Sequence, residues 1–129
     1  MDNVSLITQG YHDFATGNIP GILSIWDENI KWMGAKSFPV FEEGDGIVVG
    51  AQNVLQQVLA KIPELYDGFN IDVQAIYGSG DKVVMEGFYT GAWKATGKSF
   101  RANAVHIWDV KDGKVTRFFQ AVDTATIMS

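Results

Sequence analysis

Apolar residues in the first half of the chain recur with the 3.6-residue period of an amphipathic helix. The first segment starts at a cap on Asp2 or Asn3 and ends at Gly17. Its apolar stripe consists of Val4, Ile7, Tyr11 and Phe14. The second segment is capped by Asn18 and closed by the polar residues 27–29. Its stripe consists of Ile19, Ile22, Leu23 and Trp26. The pattern predicts two successive helices.

A third helical segment follows Gly50, with an apolar stripe made of Val54, Leu55, Val58, Leu59 and Ile62. Pro63 is expected to stop this helix, because proline lacks the backbone donor that a helix interior needs. Between the second and third helices, residues 30–33 fit a short strand and residues 34–49 are irregular. The irregular segment carries an acidic tip at 42–46 and three apolar residues that look exposed, Phe38, Val40 and Phe41. We interpret it as a flap over the mouth of a pocket.

The C-terminal part of the chain has the composition and turns of an antiparallel meander. Runs rich in Val, Ile, Phe, Tyr and Trp are separated by hairpin signals at 81–82, 96–98 and 112–114. The predicted strands are 69–77, 82–95, 98–110 and 114–123. Strands of this length must bend in a small sheet, and Gly87 and Gly91 are suitable points for a bulge or kink.

These patterns together predict an α+β fold. A strongly curved antiparallel sheet would pack against three helices from the N-terminal half of the chain and enclose a pocket. No repeat, linker or low-complexity tract divides the 129 residues, so we expect one domain spanning residues 1–129.

Composition narrows the class of protein. Apolar residues make up 47% of the chain and the formal net charge is −5, which argues against disorder and against nucleic acid or an anionic membrane as partner. There is no cysteine, and the two histidines lie far apart, so we expect no metal. No glycine-rich phosphate loop or nucleophile elbow occurs, and no cofactor is expected. The first residues lack the features of a signal peptide, which makes the cytoplasm the expected location.

The clearest candidate for chemistry lies on the strand predicted at 98–110. Its even positions form an apolar face with small residues in the middle: Phe100, Ala102, Ala104, His106 and Trp108. His106 is the one titratable group on that face, and Gln120 on the next strand is its expected polar neighbour. Glu86 shares a face with Val84 and Phe88, but a bulge near Gly87 would reverse that face.

Two interpretations of His106 remain open at this point. In one, the imidazole is a proton donor, proton acceptor or hydrogen-bond donor to a ligand carbonyl in a dry pocket. In the other, it is a core histidine whose hydrogen bonds are satisfied by Gln120 or by a backbone carbonyl. Tyr11 could bring a phenol group to the same pocket or could simply pack in the core.

Several runs of the chain resemble a known group of proteins. They are YHDFATGN at 11–18, ATGKSF at 95–100, HIW at 106–108, DGKV at 112–115 and FQAVDT at 119–124. Their order and spacing resemble the SnoaL-like, ketosteroid-isomerase-related proteins of the nuclear transport factor 2-like superfamily. The resemblance covers nearly the whole chain. It implies a cone-shaped, cystatin-like α+β barrel around a deep cavity, and activities such as isomerisation, cyclisation, epoxide opening or dehydration.

The resemblance also implies a homodimer formed through the outer face of the sheet. That face carries apolar and basic side chains, which suit a mixed interface: Val105, Ile107, Phe119, Arg101 and Arg117. Superfamily members also include non-catalytic association modules.

By the same resemblance, only part of the known machinery carries over to single residues. The general base of steroid isomerases corresponds to Gly34, and their second carboxylate corresponds within one residue to His106. Gln120 stands where many relatives carry an acidic residue, and Tyr11 falls about one residue from the isomerase tyrosine. Steroid isomerisation and a carboxylate-based cyclase mechanism are therefore not expected.

We expect the pocket to bind a small, largely apolar, carbonyl-containing molecule. Catalysis would be proton transfer, isomerisation, hydration or dehydration, with His106 as acid or base and Gln120 and Glu86 assisting. The predicted substrate-binding walls are Tyr11, Phe14, Trp32, Phe38, Phe41, Val58, Phe88, Ala104, Trp108, Phe118 and Val122. The alternative is a non-catalytic ligand-binding, dimerisation or protein-interaction module, so the sequence leaves open whether the protein is an enzyme.

Overall fold

Six strands form a single sheet within residues 2–41 and 44–129, the part of the chain that this computed structural model describes. They are β1 (Trp26–Met33), β2 (Ile47–Val49), β3 (Tyr66–Ser79), β4 (Lys82–Trp93), β5 (Ser99–Lys111) and β6 (Lys114–Val122). The strand order is β2-β1-β6-β5-β4-β3. All neighbours are antiparallel except β1 and β6, which pair in parallel. The predicted α+β class and curved sheet are confirmed, with one parallel pair added.

The first two helices form where the sequence predicts them. Helix α1 (Asn3–Thr16) begins at Asp2, whose carboxylate accepts a hydrogen bond from the backbone N–H of Ser5 at 2.7 Å. It ends at Gly17 in the left-handed conformation, with φ of 72°. Helix α2 (Ile19–Ile25) begins at Asn18, whose side chain accepts from the N–H of Gly21 at 3.2 Å. The C-cap at Gly17 and the N-cap at Asn18 are adjacent, so the chain passes directly from one helix into the next.

The end of α2 differs from the prediction. Trp26 lies on β1 instead of on the helix, and residues 27–29 belong to that strand. Trp26 pairs in parallel with Val115 of β6, and the register then shifts before Lys31. This long-range pairing overrides the local helical spacing of Trp26 and leaves Glu28 and Asn29 exposed along the irregular part of the strand.

The third helical region is also less regular than predicted. Helix α3 (Ala51–Val54) widens into a π-helical turn (Leu55–Leu59), and helix α4 (Ile62–Leu65) follows. Pro63 lies in the first turn of α4 and does not end the helix, because a first-turn residue needs no backbone donor. The predicted apolar stripe does face inward, since Val54, Val58 and Ile62 are buried.

Phe38, Val40 and Phe41 pack into or against the core instead of forming an exposed flap. Phe38 and Val40 are each 2% exposed, around a short 3₁₀ turn at Pro39–Phe41. The Phe38 ring stacks on Tyr89 with centroids 5.6 Å apart. Strand β2 then pairs with β1. Glu42 and Glu43 of the predicted acidic tip lie outside the described residues.

The strands that carry the candidate site are close to their predicted positions. Strand β3 begins at Tyr66, three residues before the predicted start, and β6 ends at Val122. A short C-terminal helix, α5 (Thr124–Met128), was not predicted; Asp123 caps it through the N–H of Thr126 at 3.2 Å. The register irregularity near Gly87 lies on β3, between Val73 and Ala75, and not on β4.

Candidate functional site

A cavity lies between the concave face of the sheet and the helices. Its volume is about 60 Å³, counted as the space open to the centre of a water molecule. A water needs about 10–15 Å³ on this measure, so the cavity has room for about four to six waters or a small organic group. Among the described residues its lining is mostly apolar, with polar atoms from Tyr11, Tyr89, His106 and Gln120 and no carboxylate.

Most of the predicted wall residues line this cavity. They are Tyr11, Phe14, Trp32, Phe38, Val58, Trp108 and Phe118. Ala104 is buried on the same face of β5 but lies outside the lining. Phe41 and Val122 pack partly buried against the core and likewise do not line the cavity.

Glu86 and Phe88 do not face the cavity, so their predicted roles there are wrong. Strand β4 alternates without interruption, with Val83, Met85 and Tyr89 buried and Glu86 exposed. Phe88 lies on the outer face, where the Arg101 guanidinium sits 3.9 Å from its ring centroid. The bulge that could have turned these residues inward is on β3.

His106 lies at the centre of a buried polar cluster, and it is 2% exposed. Its Nδ1 atom is 2.7 Å from the Tyr11 hydroxyl oxygen, and its Nε2 atom is within hydrogen-bonding distance of the Tyr89 hydroxyl. The Tyr11 ring also lies nearly parallel to the imidazole, with centroids 5.8 Å apart. Both ring nitrogens therefore have partners from outside strand β5, one from α1 and one from β4.

Gln120 belongs to the cluster, but it makes no hydrogen bond to the imidazole of His106. It is directly opposite His106 in the β5–β6 register, as the sequence predicts. Its Nε2 group donates to the Tyr89 hydroxyl at 2.5 Å, and its Oε1 atom accepts from the N–H of Ala35 at 3.0 Å. The histidine is thus satisfied by two tyrosines, and neither Gln120 nor a backbone carbonyl takes that role.

Tyr89 is the functional candidate that the sequence analysis missed. It is 3% exposed and contacts both His106 and Gln120. If β4 alternates without a bulge, its odd-numbered residues face inward and Tyr89 is a candidate. The possible bulge at Gly87 left it open which face of the strand points inward. Gly87 itself is required by close approach, since a Cβ there would lie 2.4 Å from the carbonyl oxygen of Asp72.

The last polar link joins Trp108 to Tyr11. Trp108 follows His106 by two residues on the same strand face, and its Nε1–H donates to the Tyr11 hydroxyl oxygen at 2.8 Å. The chain of contacts runs from Trp108 through Tyr11, His106 and Tyr89 to Gln120. It spans the cavity wall from α1 to β6.

Burial keeps every titratable group of the cluster neutral near pH 7. It lowers the pKa of His106 from 6.5 to about 3, because the imidazolium would lose its hydration in the buried cluster. Burial likewise raises the pKa of Tyr11 and Tyr89 well above the ordinary value of 10. Hydrogen bonds from Trp108 and Gln120 oppose these shifts only in part.

The cluster offers hydroxyl and imidazole groups for hydrogen bonding and neutral proton transfer. Within the described ranges, no three histidine, aspartate or glutamate side chains lie close enough together to hold a metal ion. Both nitrogens of His106 are hydrogen-bonded to tyrosine hydroxyl groups, and all three side chains line the cavity. No helix in the described part of the chain is long and apolar enough to cross a membrane.

Comparison with known families identifies the class of protein. A family model described as a SnoaL-like domain matches residues 7–118. The chain therefore belongs to the SnoaL-like family, and the resemblance noted in the sequence is confirmed. A search of the curated proteins finds no match.

Solved structures agree with this assignment. An NTF2-like protein from Burkholderia thailandensis is 26% identical with a TM-score of 0.89, over 97% of this chain and 93% of that one. TerC, co-crystallised with polyporic acid, is 26% identical with a TM-score of 0.85, over 98% and 95%. IdmH, a putative polyketide cyclase from Streptomyces antibioticus, shares the fold at 15% identity and a TM-score of 0.81, over 98% and 96%.

Proposed function

We propose that this protein binds a small, largely apolar, carbonyl-containing molecule in its cavity and catalyses proton transfer on it, as in an isomerisation, hydration or dehydration. The observation that carries the proposal is the buried imidazole held between two tyrosine hydroxyl groups beside an apolar cavity. Acid–base groups in such a position contribute about 10²–10⁴-fold to a rate.

The composition of the cavity supports a ligand of this kind. A binding pocket is typically apolar with a few convergent polar groups that fix the orientation of the ligand. Here Tyr11, His106, Tyr89 and Gln120 form one hydrogen-bonded cluster, and aromatic side chains such as Trp32 and Phe118 form much of the remaining lining. An apolar molecule with one oxygen acceptor would match both parts of the lining.

The comparisons point the same way without identifying the ligand. TerC, at 26% identity, was crystallised with the small molecule polyporic acid, and IdmH is described as a putative polyketide cyclase. Both descriptions favour a small-molecule occupant for the cavity of this chain.

A matched pair of probes tests the binding step. Cyclohexanone and methylenecyclohexane have the same ring and nearly the same shape, but only the ketone offers an oxygen acceptor. We expect cyclohexanone to raise the melting temperature more than methylenecyclohexane does. Leu59→Phe, which adds volume at a half-buried position in the cavity lining, should abolish both shifts. Equal shifts for the two probes in wild type would contradict a role for the polar cluster.

The second candidate is a non-catalytic binding protein. It is favoured by one specific observation: both nitrogens of His106 are engaged by tyrosines, and no carboxylate lines the cavity in the described part of the chain. Tight binding of a ligand that is recovered chemically unchanged, with no hydrogen exchange into it, would support this candidate over an enzyme.

The homodimer also remains a proposal. The outer face of β5 and β6 presents partly exposed Val105, Ile107 and Phe119 beside Arg117. A mixed apolar and basic surface of this kind is compatible with an interface between two copies.

A further inference from the structure

The polar cluster contains one more hydrogen atom than its hydrogen-bonded contacts can use. Trp108 donates to the Tyr11 oxygen, and the Gln120 amide donates to the Tyr89 oxygen. The orientation of that amide is fixed, because its other atom accepts from the N–H of Ala35. Three hydrogens remain, from Tyr11, Tyr89 and the neutral imidazole. They serve only two contacts, those of Tyr11 with Nδ1 and of Tyr89 with Nε2.

The surplus hydrogen gives the cluster two neutral arrangements. In state 1, the Tyr11 hydroxyl donates to Nδ1 and Nε2–H donates to the Tyr89 oxygen, so the hydrogen of Tyr89 is uncommitted. In state 2, Nδ1–H donates to the Tyr11 oxygen and the Tyr89 hydroxyl donates to Nε2, so the hydrogen of Tyr11 is uncommitted. Among the described residues, neither hydroxyl group has a further hydrogen-bond acceptor.

We propose that Tyr11, His106 and Tyr89 form a proton relay that interconverts states 1 and 2 while enolising a ketone bound between the two hydroxyl groups. The proposal rests on the proposed function and names its substrate class, an enolisable ketone. It also reassigns the roles: the two tyrosines touch the substrate, and His106 carries protons between them.

The step balances without any charged intermediate. In state 1, the ketone oxygen lies at Tyr89 and an acidic C–H beside the carbonyl lies at Tyr11. The Tyr89 O–H bond breaks and the enol O–H bond forms, while the proton on Nε2 replaces the one that Tyr89 lost. The proton of Tyr11 moves to Nδ1, and the ligand C–H proton moves to the Tyr11 oxygen. The C–H electron pair becomes the enol double bond, and the cluster is left in state 2.

Two features of the site support this route over a conventional base. Tyr11, Tyr89 and His106 all line the cavity, and both ring nitrogens of His106 are already engaged by the two tyrosine hydroxyl groups. The surroundings disfavour charge, since burial holds the pKa of His106 at about 3 and raises the pKa of both tyrosines. A relay that stays neutral throughout avoids the desolvation penalty that a lone carboxylate or imidazolium would meet here.

Hydrogen exchange into a simple ketone tests the relay. Cyclohexanone is incubated with the protein in D₂O, and loss of the signals of the hydrogens next to the carbonyl is followed by proton NMR. Wild type should accelerate exchange by at least about 10²-fold over buffer at the same pH. Tyr11→Phe and Tyr89→Phe should each lose at least about tenfold of that acceleration. Tyr66→Phe is the matched control, since Tyr66 is a buried tyrosine outside the cavity lining, and it should exchange at the wild-type rate.

Each failure has a distinct meaning. If cyclohexanone binds by the thermal-shift measurement but exchange is not accelerated, the relay is wrong and the binding function stands. If either Tyr11→Phe or Tyr89→Phe keeps the wild-type rate, the relay is also wrong, because it requires both hydroxyl groups. If cyclohexanone does not bind, the proposed function fails for simple ketones. The relay is then tested by a measurement on the unliganded protein.

The imidazole of the unliganded protein provides that independent readout. With ¹⁵N-labelled histidine, a relay that interconverts both states gives Nδ1 and Nε2 shifts of His106 that are both intermediate between protonated and unprotonated nitrogen. A single fixed tautomer, or a charged ring near pH 7, would overturn the proposal. This measurement needs neither a ligand nor a variant that folds.

Discussion

The backbone N–H of Ala35 donates to Oε1 of Gln120 at 3.0 Å and so decides which way the Gln120 amide points. Because the oxygen is taken by the main chain, the NH₂ group must face Tyr89 and donate to its hydroxyl oxygen at 2.5 Å. The loop after β1 therefore controls the donor and acceptor pattern around His106. Gln120, on β6, links this loop to Tyr89 on β4 across the inner face of the sheet.

Gln120→Glu should make the stability of the protein strongly pH-dependent. The new carboxyl group would be buried without a cation, so its pKa in the folded state should rise above the usual value of about 4.3. Stability is then intact below about pH 4.3. It falls by up to about 1.4 kcal/mol per pH unit as the pH rises towards the folded-state pKa. Urea unfolding at pH 5 and pH 8 measures the difference. Gln56→Glu, an exposed position, should show no such fall.

Two tyrosine-to-phenylalanine substitutions should differ in their effect on stability, because only one of them removes hydrogen bonds. Tyr89→Phe leaves the Gln120 amide and one nitrogen of His106 without partners, which we expect to cost about 2 kcal/mol or more. The Tyr66 hydroxyl is buried and has no hydrogen-bond partner among the residues that the structure describes, and burial raises its pKa to about 12. Tyr66→Phe should therefore leave stability unchanged or raise it by up to about 1 kcal/mol. Thermal unfolding compares them, and equal losses would contradict the assigned network.

The inner face of β5 could be predicted because two hairpins fix the register of that strand. The turns at 96–98 and 112–114 fix both ends of the strand and therefore which of its side chains share a face. The sequence thus assigns His106 and Trp108 to the concave face. Gln120 followed from the same register. The tyrosine partners of His106 come from α1 and β4, and no local pattern on β5 indicates which residues of those elements would meet it.

The errors on β4 have one cause. A bulge of one residue reverses every later side chain on its strand, and the sequence does not indicate which of two paired strands carries it. The bulge lies on β3 beside Gln74, so Glu86 and Phe88 face outward and Tyr89 inward. Trp26 and Phe38 were misplaced for a related reason, because long-range contacts with Val115 and Tyr89 decide their positions.

The proposed homodimer can be tested on the outer face of β6. Phe119→Asp places a carboxylate in the middle of the partly exposed apolar surface, and it should convert a dimer into a monomer in light scattering. Gln52→Asp adds the same charge at an exposed position of α3 and should leave the mass unchanged. A monomeric wild type at the highest measurable concentration would remove the dimer from consideration.

The pKa of His106 predicts how acid should affect the native protein. In the unfolded chain the imidazole has a pKa of about 6.5, whereas burial lowers the pKa in the folded protein to about 3. The stabilising effect of a neutral His106 is therefore complete above pH 6.5, and it is lost as the pH falls from 6.5 towards 3. The titratable groups that face the ring, Tyr11 from α1 and Tyr89 from β4, stay neutral throughout this range.

His106→Gln separates this effect from the titration of surface carboxylates, which both proteins share. The difference in unfolding free energy between wild type and the variant should shrink as the pH falls, by up to about 1.4 kcal/mol per pH unit below 6.5. Urea unfolding at pH 7, 6, 5 and 4 gives this difference directly. A constant difference over that range would mean that the folded protein binds the proton as readily as the unfolded chain does. In that case the imidazole would not lie in the dry, uncharged setting on which both proposals for its chemistry depend.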